Sequence, residues 1–183
     1  MADRLYVTSL LLGTVLLAHA GEPAFDEYQV KAAYLYNFAK FVEWPQSTFA
    51  NPNDPIGICI VGQNPFGSTL EVMVKGKKIG DRAFVVWRLR DTQQVSKCQI
   101  LFIGAADQKR IRAWLEALKG ADILTVGETE DFTAAGGIIG FRLEGTRVRI
   151  QVALETAEHT RLRISSRLLG LAEIVTKQQP IVP

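Results

Sequence analysis

This chain is poor in the residues that build most catalytic and metal centres. It has only two histidines and two cysteines among 183 residues. His159 stands in a polar stretch, and no Gly-x-Ser-x-Gly motif accompanies it as a typical serine hydrolase would require. Two widely spaced cysteines and one histidine after the predicted signal peptide do not make a zinc site. We therefore expect no catalytic residues and no metal, so the protein is predicted not to be an enzyme.

The phosphate-binding motifs of nucleotide cofactors are missing as well. The first predicted strand is followed by Gly62-Gln63-Asn64-Pro65-Phe66-Gly67, which lacks the Gly-x-Gly-x-x-Gly spacing and contains a proline. The formal net charge is only +2, and no run of lysine and arginine is interleaved with aromatic residues. The sequence thus predicts no cofactor and no nucleic-acid partner.

One long apolar run is present, at the start of the chain. Leu5 to Leu17 is uncharged, Arg4 precedes it, and Ala18-His19-Ala20 gives the small-x-small pattern of a cleavage site. The run is shorter than the about 20 residues that a membrane-spanning helix needs. We predict a signal peptide over residues 1–20, cleaved after Ala20, with an uncleaved N-terminal anchor as the alternative.

Residues 21–183 have the composition of one globular domain, since 48% of the whole chain is hydrophobic and 22% is charged. Apolar residues recur at helical spacing from Asp26 to Glu43, and Pro45 ends that helix. Further helices are predicted at 66–74 and 107–118. Short apolar runs between turn residues predict strands at 56–61, 83–89, 99–103 and 123–126.

The pattern changes in the last third of the chain. Two alternating runs, 138–143 and 146–154, flank Glu144-Gly145 and predict a hairpin. A short helix at 155–160 and a final helix at 165–176 follow. We therefore predict an α/β protein: a single three-layer domain whose mixed, mostly parallel sheet has helices on both faces and a late antiparallel hairpin.

The two cysteines, Cys59 and Cys98, lie within the first predicted strand and directly before the third. An even number of cysteines in an exported protein favours a disulfide bond. Neighbouring parallel strands would place the two side by side. The alternative is a pair of buried free thiols that act as small hydrophobic residues.

Several segments resemble the YfiR family. The strongest is YQVKAAYLYNFAKFVEWP, from Tyr28 to Pro45, and CQILFI, LTVG, Phe132, GGII and SSRLLGLA follow in the family's order. The resemblance implies a periplasmic α/β protein that represses an inner-membrane diguanylate cyclase, and so controls cyclic di-GMP and biofilm formation. It also implies a homodimer and sequestration by an outer-membrane, peptidoglycan-binding lipoprotein. This chain lacks the second cysteine pair that some members carry.

A periplasmic small-ligand sensor, acting through a histidine kinase or another membrane receptor, is the alternative function. Either function needs a binding surface, and the two segments most like the family lie near the ends of the domain. Many of their apolar residues are simply core. The arginines that enrich the last third of the chain are either solvated side chains or the rim of a surface for an acidic partner.

Three features of those segments are not explained by core packing. Trp44 follows a helix that Pro45 ends, so a loop would present its ring. Asn37 interrupts an apolar helix face, where a buried amide needs a partner. Arg163 and Arg167 stand at the predicted start of the last helix, where cations oppose the helix dipole. We therefore predict a partner- or ligand-binding site of Trp44, Asn37, Arg163 and Arg167, with Trp44 near the arginines.

Overall fold

The computed structural model describes residues 26–104 and 107–176. The predicted signal peptide and its cleavage after Ala20 lie outside these residues. The first helix, α1 (Glu27–Phe41), begins at Asp26, whose carboxylate accepts a hydrogen bond from the Gln29 N–H at 3.0 Å. Such a cap satisfies one of the free donors at a helix start. Within the described part of the chain, no helix has both the length and the apolar character needed to cross a membrane.

Ten short strands follow in the described residues. They are β1 (Val42–Glu43), β2 (Ile56–Gly62), β3 (Lys78–Ile79), β4 (Arg82–Leu89), β5 (Ile100–Gly104), β6 (Leu124–Gly127), β7 (Ile139–Glu144), β8 (Arg147–Ala153), β9 (Arg163–Ile164) and β10 (Glu173–Val175). Eight of them form one sheet in the order β10-β8-β7-β6-β5-β2-β4-β3, while β1 and β9 pair separately. The pairings from β4 to β7 are all parallel, and β7 and β8 form the antiparallel hairpin.

Helices cover both faces of this sheet. The helices after α1 are α2 (Thr69–Val74), α3 (Gln108–Ala117), α4 (Leu154–Glu158) and α5 (Ser166–Leu169). On one face, the core of α1, α2 and α5 packs on alternate strand residues such as Ile58 and Ile60. On the other, α3 packs over Cys59 and Val61. The predicted three-layer α/β domain is therefore confirmed.

The prediction for the end of the chain is wrong. Instead of one helix over 165–176, the structure has the single-turn helix α5 and then strand β10, which pairs in parallel with β8. Gly170 ends α5, and the β-branched Ile174 and Val175 suit a strand better than a helix. The spacing of apolar residues over 165–176 favours a helix. That local pattern contains no information about the edge of β8, with which β10 pairs.

Candidate functional site

Trp44 lies directly after strand β1 and is partly buried. Its indole Nε1–H donates a hydrogen bond to the backbone oxygen of Gln99 at 3.1 Å. The Gln99 side chain is itself buried and accepts a hydrogen bond from the backbone N–H of Gly57 at 2.6 Å. The polar edge of Trp44 is therefore used inside the domain, and only part of its ring remains available to a partner.

The pairing of β1 with β9 places the backbone at Trp44 next to that at Arg163. In the β1–β9 pairing, Glu43 stands opposite Arg163 and Val42 stands opposite Ile164. The Ser165 N–H then donates to the Phe41 carbonyl at 2.8 Å. Because Trp44 is the next residue after Glu43, the structure joins the two segments that the sequence analysis singled out.

Arg163 and Arg167 are both exposed, but they do not share a helix as expected. Arg163 belongs to strand β9, and Arg167 belongs to α5, which has only four residues. Arg163 therefore does not lie at a helix start, and its charge does not oppose a helix dipole.

Asn37 is only partly buried on α1, so water can satisfy its amide and no buried partner is required. We call Trp44, Arg163 and Arg167 together the β1–β9 surface.

A groove adjoins this surface on the side of Gln99. It is also lined by Thr48, Phe49, Trp87 and Lys97, and has a volume of about 440 Å³. The Trp87 side chain is 38% exposed, and the Lys97 ammonium lies 5.2 Å from its ring centre. Partly exposed aromatic side chains such as Trp87 are enriched at surfaces that bind proteins.

The disulfide prediction is confirmed. Cys59 and Cys98 are bonded, with their Cα atoms 5.6 Å apart and a sequence separation of 39. Both side chains are buried beneath α3, in the core that also contains Leu101 and Trp114. The register places Ile58 opposite Ile100, so neighbouring strands β2 and β5 bring the cysteines together as expected.

The sequence patterns did not predict a buried ion cluster around Lys31. The Lys31 side chain is 5% exposed and contacts the carboxylates of Glu27, one turn earlier, and Glu128, just after β6, the latter at 2.6 Å. Burial by itself lowers the pKa of Lys31, but hydrogen bonds to Glu128 and Glu27 outweigh it and leave the pKa raised. In the sequence, the cluster is indicated by the position of Lys31, which falls on the same helical face as Leu35 and Phe38.

Tyr28 completes this cluster. The Lys31 ammonium lies 4.9 Å from the Tyr28 ring centre, which is a favourable cation–π contact. Burial and then the negative charge of Glu128 raise the pKa of Tyr28. The cluster fixes the start of α1 to the end of β6. Both carboxylates contact the Lys31 ammonium, so we regard the cluster as structural.

No group of three or more His, Cys, Asp or Glu side chains that could hold a metal ion occurs in residues 26–104 and 107–176.

Comparison with known proteins agrees with the sequence resemblance. The family model described as YfiR/HmsC-like matches residues 28–173, which is most of the chain and runs from the second residue of α1 to the first residue of β10. No curated protein matches the sequence. The chain belongs to the YfiR/HmsC-like family.

Proposed function

We propose that this chain is a periplasmic regulatory protein that binds the periplasmic part of a membrane diguanylate cyclase and represses it. The observation that carries the proposal is the family match over residues 28–173, which makes a regulatory role the best-supported one. On this proposal, release of the cyclase raises cyclic di-GMP and favours biofilm formation.

The contact with the cyclase is proposed to lie on the β1–β9 surface. Arg163 and Arg167 are exposed, and an arginine side chain can bind a carboxylate through two parallel hydrogen bonds. The adjacent groove supplies apolar area through Phe49 and Trp87. An acidic segment with an apolar anchor residue would be complementary to this combination.

A genetic experiment tests the regulatory role first. Deleting the gene should raise cellular cyclic di-GMP, and the wild-type protein supplied in trans should lower it again. Arg163→Ala should fail to lower it, because the cyclase would lose its charged contact. Arg112→Ala is the matched control, since Arg112 is an exposed arginine on α3, at the opposite face of the sheet. Unchanged cyclic di-GMP in the deletion strain would contradict the proposed function.

A binding experiment tests the surface. The tagged mature protein should capture a diguanylate cyclase from detergent-solubilised membranes, identified by mass spectrometry. Arg163→Ala should reduce that capture, whereas Arg112→Ala should not. Capture that is equal for wild type, Arg163→Ala and Arg167→Ala would leave regulation in place and move the contact to another surface.

Trp44 needs a subtler substitution because its N–H bond to Gln99 is internal. Trp44→Phe keeps an aromatic ring but removes that hydrogen bond, so binding should persist while stability falls slightly. Trp44→Ala also removes the ring and should weaken binding. Circular dichroism spectra of both variants show whether a loss of binding reflects a loss of fold.

A further inference from the structure

An exposed cationic surface lies where the end of α1 meets the turn between α2 and β3. It consists of four exposed lysines, which we call the lysine surface: Lys40, Lys75, Lys77 and Lys78. A hydrogen bond of 3.0 Å from the Lys77 N–H to the Val74 carbonyl closes the turn. Gly76 supplies the φ of +71° that such a turn requires. Three of the four lysines are thus presented from one tight turn.

The ring of Tyr36, on α1, connects this turn to the fourth lysine. The Lys40 ammonium lies 4.3 Å from the centre of the ring, and the Lys77 ammonium lies 4.4 Å from it. Each contact is a favourable cation–π interaction. The two ammonium groups are at most about twice this distance apart, which is within the Debye length of about 10 Å at about 0.1 M salt, so they repel each other.

The protein supplies little negative charge to balance the lysine surface. No carboxylate in residues 26–104 and 107–176 forms an ion pair with any of its four lysines. Glu71, on α2, is paired with Arg88 at 2.8 Å. Asp81 is the one acidic residue in the sequence from 72 to 88. Anions from outside the protein would therefore relieve the repulsion among the lysines.

The residue types indicate what kind of anion fits. A lysine ammonium is a compact, hydrated charge without the two-bond geometry with which arginine selects a single carboxylate or phosphate. Val72, three positions before Lys75, is 70% exposed and adds an apolar side chain beside the charges. Cationic residues around an exposed apolar side chain are complementary to an array of anionic groups that covers an apolar layer.

We propose that the lysine surface binds the anionic phospholipid headgroups of a bilayer. The proposal rests on the proposed function in one respect, because a periplasmic protein faces the membrane that contains the cyclase. Lys40 precedes Trp44 by four positions, since α1 leads directly into β1. A bilayer bound at the lysine surface would therefore keep the β1–β9 surface close to the membrane in which the cyclase is anchored.

Co-sedimentation with vesicles tests this proposal without the cyclase. The purified mature protein should sediment with phosphatidylcholine vesicles that contain about 30 mol% phosphatidylglycerol, and not with vesicles of phosphatidylcholine alone. Raising the salt from about 0.1 M to about 0.5 M should release it, because salt screens the attraction between exposed charges.

Two pairs of substitutions locate the contact. Lys40→Gln/Lys77→Gln should weaken binding to the anionic vesicles by about 5-fold for each charge, or about 25-fold for the pair. Lys75→Gln/Lys78→Gln should have a similar effect and leaves both cation–π contacts of Tyr36 in place. This second pair keeps the test valid if the first pair lowers stability, which urea denaturation of each variant measures.

The matched control is Lys109→Gln/Lys119→Gln. Both lysines are exposed, and they lie on α3 and directly after it, at the opposite face of the sheet. The control removes the same net charge, so a general effect of charge would weaken its binding equally. We expect its affinity for the anionic vesicles to stay within about 2-fold of wild type, because its lysines lie far from the bilayer.

Three results would overturn the proposal. They are no sedimentation with the anionic vesicles, equal sedimentation with anionic and neutral vesicles, and a loss in the control as large as that in Lys75→Gln/Lys78→Gln. None of them would contradict repression of the cyclase, which the deletion strain tests separately.

Discussion

Reducing the Cys59–Cys98 disulfide should lower the free energy of unfolding by about 4 kcal/mol. The bond closes a loop with a sequence separation of 39, and the loss of chain entropy in the unfolded state gives this figure in the loop-closure model. The folded state should change little, because both sulfurs are buried in the core under α3, where free thiols pack as small hydrophobic groups.

Urea denaturation of the mature protein measures this effect. With an m value of about 2 kcal/mol/M, the midpoint should fall by about 2 M when reductant is added. The melting temperature should fall by about 8 to 16 °C. The double variant Cys59→Ala/Cys98→Ala is the control, because its midpoint should be low and should not respond to reductant.

Two results would refute the reasoning. One is a wild-type midpoint that reductant leaves unchanged while mass spectrometry shows both thiols free. The other is two reactive thiols in the unfolded, unreduced protein, which would mean that the bond does not form.

The remaining predictions concern the ion cluster, a close strand contact and export. Lys31→Met should destabilise the protein by roughly 1–3 kcal/mol, because its two glutamate partners are left partly buried and unpaired, whereas exposed Lys109→Met should change stability by less than about 0.5 kcal/mol. The raised pKa of Lys31 means that its contribution is complete below its usual pKa of 10.5 and is lost at higher pH, so the difference between wild type and Lys31→Met in urea should shrink above that pH and not below it. Gly57→Ala should lower the free energy of unfolding, measured by urea denaturation, by about 1–3 kcal/mol or more, because its Cβ would overlap the backbone oxygen of Lys97. An unchanged urea midpoint would contradict that contact. Mass spectrometry of the exported protein should find Gly21 as the first residue, and a full-length protein held in the cytoplasm would disprove the predicted signal peptide.

Local patterns predicted much of the fold because the parallel strands are buried on both faces and are bounded by turn residues. The strand predicted at 56–61 corresponds to β2, and the hairpin predicted around Gly145 is present with φ +59° at that glycine, a backbone angle that glycine adopts readily. The disulfide was predicted from the even number of cysteines in a chain expected to be exported, and the structure adds that β2 and β5 are neighbours.

The β1–β9 surface was only partly predictable. Family-like residues singled out Trp44 and Arg163, but strands of two residues leave no periodic signal. The pairing joins residues 42–43 to residues 163–164, which lie at opposite ends of the domain in the sequence. The internal hydrogen bond of the Trp44 indole could not be predicted either, because its acceptor is a backbone oxygen 55 residues away.

The sequence by itself indicated the order of the longer helices and strands from α1 to β8, the layer architecture and the cysteine pair. The first two follow from local periodicity, and the pair follows from an even number of cysteines in a chain predicted to be exported. Tertiary structure decided the rest. Residues 173–175 are a strand because β8 offers an unpaired edge, and Lys31 is buried because Glu128 meets it from the end of another strand. Each of these features joins residues that are distant in the chain, and a local pattern carries no information about such partners.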